Sequence, residues 1–225
     1  MNCRCSKYLR VSICKKQLMG ITGLLLCGFL VSHLTGNLLI YKSAEAFNQY
    51  AYFLEKASFT KPAEVVLLLI FFTHLFLAVK LTLENKAARP EKYFMKKNTG
   101  RGTTFASSTM PYTGMLTLIF MVLHIYNFKF CGHEIVTTYD GVTMRDFFSQ
   151  LSAYFKNPLY VTWYVLAVIS LGIHVSHGFW SAFQSLGLDH PKYTPTLKIL
   201  AKVYACIIVL GFSSFPIYFL LQGGH

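Results

Sequence analysis

The chain has 225 residues, 54% of them hydrophobic and only 13% charged, with 20 phenylalanines and a formal net charge of +12. This composition excludes an ordinary soluble helical domain, whose apolar stripes are broken by charges at every turn, and points to a membrane protein. The positive charge does not indicate nucleic acid, because the basic residues lie between apolar runs, where they mark topology and meet anionic lipid.

Residues 1–17 read as a basic tail carrying Arg4, Lys7, Arg10, Lys15 and Lys16. A first apolar run over 18–41 follows. It has no small-residue cleavage site behind it, so it reads as a retained helix rather than a signal peptide. Its Gly20, Gly23, Gly28, Ser32 and Gly36 allow close approach of a backbone or a flat ligand. In the next connection Phe47, Tyr50, Phe53 and Leu54 recur at helical spacing and suggest an interfacial helix. Pro62, with Glu64 behind it, suits the start of a second helix over 62–83. The long connection after it is the most basic, and Thr109 before Pro111 marks a third helix over 111–130. Tyr139–Asp140–Gly141 predicts a turn, and Met144–Tyr154 a short surface helix. Asn157–Pro158 introduces a fourth helix over 159–186. A Gly187–Pro191 turn leads to the fifth, over 198–221. Each run is about 20 residues or more, enough to cross a bilayer. Cys3, Cys5 and Cys14 read as free thiols, and Cys27 and Cys206 as packing residues.

The basic residues sort by side. The tail holds five, the connection from Lys80 to Arg101 seven and the connection from Lys192 to Lys202 three, against three in each remaining connection. The positive-inside rule therefore puts the N-terminus in the cytoplasm and the C-terminus outside. This topology gives depth to one histidine in each of the first four runs. His33 and His124 fall toward the outer side, and His74 and His174 nearer the middle or inner side.

Buried intramembrane imidazoles are costly unless each has a fixed partner. Four of them in two depth-matched pairs are the number needed to hold two haem irons by both axial positions. Bis-histidine ligation leaves no open site, and such haems transfer electrons. With no c-type attachment motif, the haems would be of b type. The expected fold is an all-α membrane protein, five transmembrane helices in a bundle enclosing two b-type haems. His177 is three positions from His174 and is a candidate propionate or quinone contact. His133, His190 and His225 read as surface residues. No phosphate loop, nucleophile elbow, flavin or nicotinamide site, or iron–sulfur cysteine series is visible. Electrons must therefore be exchanged with lipid-soluble quinone and a docked redox subunit.

With one histidine in each of four runs, with His174-x-x-x-Gly178-Phe179-Trp180 and with Asn85–Pro90 after the second run, the chain resembles the cytochrome b membrane anchor of succinate:quinone oxidoreductases, in its single-subunit five-helix di-haem form. The resemblance implies that His33 and His124 ligate a distal haem and His74 and His174 a proximal one. His177 would be a second contact, and Glu55 a proton-transfer group at a menaquinone site. It implies a flavoprotein and an iron–sulfur subunit on the cytoplasmic face, the bacterial inner membrane as location, and compatibility with a dimer of the whole complex. The expected activity is succinate oxidation coupled to quinone reduction, with menaquinol-driven fumarate reduction as the reverse. A glutamate that some relatives carry two positions before the fourth ligand is Gly172 here. A cytochrome b of another dehydrogenase and a non-redox membrane protein are the competing readings; the latter would be colourless.

Overall fold

A computed structural model describes residues 12–88, 105–132 and 135–222. Expectations for the first part of the tail, for most of the basic connection (Arg89 to Arg101), and for His133 and His225 lie outside the described residues. Among the described residues, five helices are long and apolar enough to cross a membrane, spanning Ser12–Tyr41, Thr60–Ala87, Ser108–Phe130, Pro158–Ser185 and Thr194–Gln222. The described residues support a multi-pass, all-helical bundle with one small hairpin.

Helix α1 (Ser12–Asn37) continues through a 3-10 turn, Leu38–Tyr41. It starts at Ser12, not near Leu18, so Lys15 and Lys16 are helical rather than part of a tail. The reason is a partner: Lys15, almost fully buried, donates to Glu84 at 2.6 Å. A charged residue can extend a span when an opposite charge meets it at the end. Helix α2 (Ala44–Lys56) lies between the first two spans, with the Ser43 hydroxyl capping the Ala46 amide. Helix α3 is Thr60–Ala87 and α4 is Phe105–Ile125, the latter passing into a π-helical turn, Tyr126–Phe130. Pro111 lies inside α4 rather than at its start; it removes one backbone donor and the helix continues past it.

Strands β1 (Val136–Tyr139) and β2 (Val142–Arg145) form an antiparallel hairpin that the sequence reading did not include. Its two-residue turn is the Asp140–Gly141 expected, with both residues at positive φ (50° and 76°), as a type I′ turn requires. Helix α5 (Phe147–Phe155) follows, capped by Asp146. Burial works against the Asp146 charge. Hydrogen bonds from the Ser149 amide and hydroxyl and the Asn48 side chain outweigh it and hold the carboxyl below its usual range.

Helix α6 (Pro158–Ser185) begins with Asn157 capping Leu159 and Pro158 in the first turn, and α7 is Thr194–Gln222. Helix α7 starts before Lys198, because the Thr194 hydroxyl ties its first turn to Asp189 and His190. Helix α6 is the central element and packs most extensively on α7, then on α4 and α1. Helix α3 leans on α1, and no extensive contact joins α3 to α4 among the described residues. Large side chains such as Leu69, Phe72, Leu166 and Leu210 are exposed, as they are where a bundle meets lipid tails. Cys206 is exposed rather than packed, whereas the Cys27 carbonyl accepts from Tyr204 on α7 at 2.7 Å.

The two ends of the bundle differ. One end carries α2, the hairpin and α5 and is called here the capped end. The other, with Lys15–Glu84 and the α6–α7 turn, is the open end. At the capped end, Arg145 and Gln150 satisfy the last carbonyls of the third span. Gln150 donates to Asn127 and Cys131 at 2.7 and 2.9 Å, and Arg145 donates to Phe128 at 2.9 Å and to Cys131.

Candidate functional site

Four histidines from four spans form two tiers. In the tier nearer the capped end, the rings of His33 (α1) and His124 (α4) lie with centres 5.9 Å apart and planes at 87°. Phe29 stacks on His33 at 5.4 Å, and Phe212 of α7 covers it at 5.6 Å. Phe120 and Phe128 flank His124, whose Nδ1 shares a hydrogen bond with the buried Tyr164 hydroxyl of α6. This tier is aromatic on nearly every side.

The second tier lies further toward the open end. His74 (α3) and His174 (α6) are each tied to a threonine on a neighbouring span. His74 Nδ1 is 3.2 Å from the Thr22 hydroxyl of α1, and His174 Nδ1 is 3.3 Å from the Thr113 hydroxyl of α4. Beside each threonine is a glycine. A Cβ on Gly23 would stand 3.4 Å from the His74 ring, and one on Gly114 would stand 3.3 Å from the His174 ring. The missing side chains let each imidazole lie against a neighbouring helix. Gly20 has a different use: it brings α1 against Ala182 of α6.

Among the described residues, no group of three or more His, Cys, Asp or Glu side chains could enclose a bare metal ion. Two facing imidazoles instead suit a metal already held in a plane. An imidazole nitrogen binds a first-row metal at about 2 Å, and its ring centre lies about 1 Å further back, so two axial rings have centres roughly 6 Å apart. The His33–His124 separation fits that requirement, and the donor chemistry of the second tier is the same. The lack of extensive α3–α4 contact leaves one side of the bundle without helix-to-helix closure, where flat ligands could lie.

His177 is half-buried one turn from His174 and meets Trp180 edge-on at 5.4 Å, with Lys198 of α7 held 4.7 Å over the Trp180 ring. Glu55 is exposed in the last turn of α2, and no contact joins it to either tier among the described residues. Gly172 is buried against α7, where Val209 occupies the space a side chain would need. A carboxylate route through that position is therefore absent. His190 is exposed in the α6–α7 turn. A shallow apolar recess between α4 and α6 is lined by Leu123, Asn127, Asn157, Leu159, Tyr160 and Trp163, with Asn127 donating to the Tyr160 hydroxyl at 2.7 Å.

The threonine–glycine pairs were missed by the reading of the sequence, although a signal for them was present. Met19–His33 and Met110–His124 share the pattern Met-x-x-Thr-Gly-x-Leu-x-x-x-Phe-x-Val-x-His. The first and third spans are therefore an internal repeat that carries both a ligand candidate of one tier and the support for the other.

No protein-family model matches the chain, and no solved structure matches it. The chain is similar to the succinate dehydrogenase cytochrome b558 subunit of Bacillus subtilis (strain 168), with 24% identity over 202 residues that cover 88% of this chain and 90% of that protein. Similarity and fold together support a cytochrome-b-like membrane anchor. The similarity extends over almost the whole bundle, so it concerns the architecture rather than a single segment.

Proposed function

We propose that this chain is a di-haem cytochrome b anchor that carries electrons between the iron–sulfur subunit of a succinate dehydrogenase and membrane menaquinone. The observation that carries the proposal is the set of four imidazoles in two tiers, each drawing its rings from two different helices. The similarity to a succinate dehydrogenase subunit favours succinate oxidation over fumarate reduction as the physiological direction.

In this reading His33 and His124 hold one haem and His74 and His174 the other. Haem iron supplies the one-electron chemistry when bound. The chain supplies the rest. Its four imidazoles would hold the irons and would exclude oxygen and substrate from the metal. Its apolar spans keep water from the tiers, and their stagger along the bundle sets a path across the membrane. His177 and Lys198 supply positive or hydrogen-bonding partners for acidic groups at the open end. That end would face the cytoplasm, where the basic connections can meet flavoprotein and iron–sulfur subunits. The recess beside Asn127 and Tyr160, on the capped-end side of His124, would accept the quinone ring. Glu55, exposed at the same end, would exchange protons with solvent through its carboxylate oxygens.

Purification of the intact complex tests this. About two haem b per chain with succinate-driven quinone reduction is the expected result. Haem-free protein, purified gently from cells making haem, would refute it.

A further inference from the structure

The threonines of the second tier have a determined hydrogen-bond polarity. Thr22 Oγ1 lies 2.9 Å from the Leu18 carbonyl and 3.0 Å from the Met19 carbonyl, and its single proton is directed to them. The oxygen therefore presents a lone pair to His74 Nδ1, and that nitrogen must carry the hydrogen. Thr113 repeats this arrangement. Its proton goes to the Thr109 or Met110 carbonyl, at 3.1 and 3.2 Å, and its oxygen accepts from His174. In both rings the consequence is the same: Nδ1 is the N–H, and Nε2 keeps its lone pair. The glycine after each threonine lets the ring approach closely enough for this contact.

We propose that Thr22 and Thr113 are a matched pair of positioning residues that fix His74 and His174 as Nδ1–H tautomers, aim Nε2 as the metal ligand, and lower the reduction potential of the haem in that tier alone. The proposal rests on the di-haem reading above. Its physical basis is that an acceptor on the distant ring nitrogen makes the imidazole a stronger donor, which favours the more highly charged ferric state. Among the described residues, the other tier has no such threonine pair. His124 meets a phenol and His33 meets phenylalanine faces.

The test is optical redox titration of the purified complex, with haem content measured in parallel, in T22V, T113V, the double variant, T22S and T113S. The component belonging to this tier is identified as the one lost in H74A. At the ambient potential where the wild-type component is half reduced, each valine variant should raise its reduced-to-oxidised ratio several-fold. The double variant should raise it further, and both serine variants should leave it near one. The other component should stay in place throughout. A valine variant in which both components shift together, or neither shifts, with haem content retained, would overturn the proposal. If a valine variant loses the haem, the serine variants decide: haem retained at the wild-type potential supports the proposal, and loss or displacement overturns it. Wild-type protein without haem would instead refute the proposed function, so the two failures are separable.

Discussion

At the capped end, His33 and His124 sit among Phe29, Phe120, Phe128, Phe212 and Tyr164, whereas toward the open end His74 and His174 each rest on a glycine and a threonine hydroxyl. The first tier is held mainly by packing of large rings, which resist displacement because a protein interior has little free volume. The second is held by directed hydrogen bonds that the rings donate to small residues, which fix ring orientation with little bulk. The same ligand type, repeated in one molecule, can thus be supported in two physical ways, and the two supports should respond differently to perturbation.

The largest expected effect separates the tiers outright. H33A or H124A should lose one haem and leave the other, and H74A or H174A should show the converse loss. H177A should keep both. Haem content and low-temperature spectra of the purified variants check this, and loss of haem in H177A with retention in H174A would reverse the ligand assignment. Glu55 tests the capped end without touching either ring pair. E55Q should slow menaquinone turnover about a hundredfold, the lower end of what proton-transfer assistance contributes, with both haems retained. An unchanged rate would remove Glu55 from the mechanism.

Arg145 addresses the packed tier through its cover. Replacing it by alanine removes the guanidinium donor from the Phe128 carbonyl of the π-helical turn and leaves Cys131 to Gln150 alone, at roughly 1–3 kcal/mol for a buried group left unpaired. Thermal denaturation of R145A followed by haem spectra should show the His33–His124 component lost earlier than in wild type, ahead of the other. Simultaneous loss would mean that the cap acts on the whole bundle. The smallest effect is that of pH on the same cover. Asp146 has a folded pKa below its unfolded one, so its contribution is fully present above the unfolded value of about 4 and lost as pH falls through the folded value. Hydrogen exchange of the α5 amides should quicken in that acid window in wild type and depend less on pH in D146N.

Much of this architecture was legible. Composition alone indicates the spans, because lipid demands uninterrupted apolar runs. The depth reasoning put His33 level with His124, and their rings are neighbours. The hairpin was not legible beyond its turn. Short strands such as Val136–Tyr139 carry too little apolar alternation to stand out, and their place is set by Arg145 and Gln150 reaching the end of the third span. The start of α1 was hidden because Lys15 reads as an end marker until Glu84, distant in the chain, is seen beside it. Thr22 and Thr113 were hidden for a similar reason: each acts on a ring in a different span, so no local window contains both partners.

The repeated Met-to-His pattern has one more consequence. Its two copies run in the same direction, from open end to capped end, so the first and third spans are parallel repeats rather than inverted ones. His33 faces His124, and Thr22 serves His74 as Thr113 serves His174. The two parallel spans thus repeat one division of labour, each giving a ligand candidate to one tier and a hydroxyl to the other. Helix α7 stands outside this repeat and packs against α6 and α1.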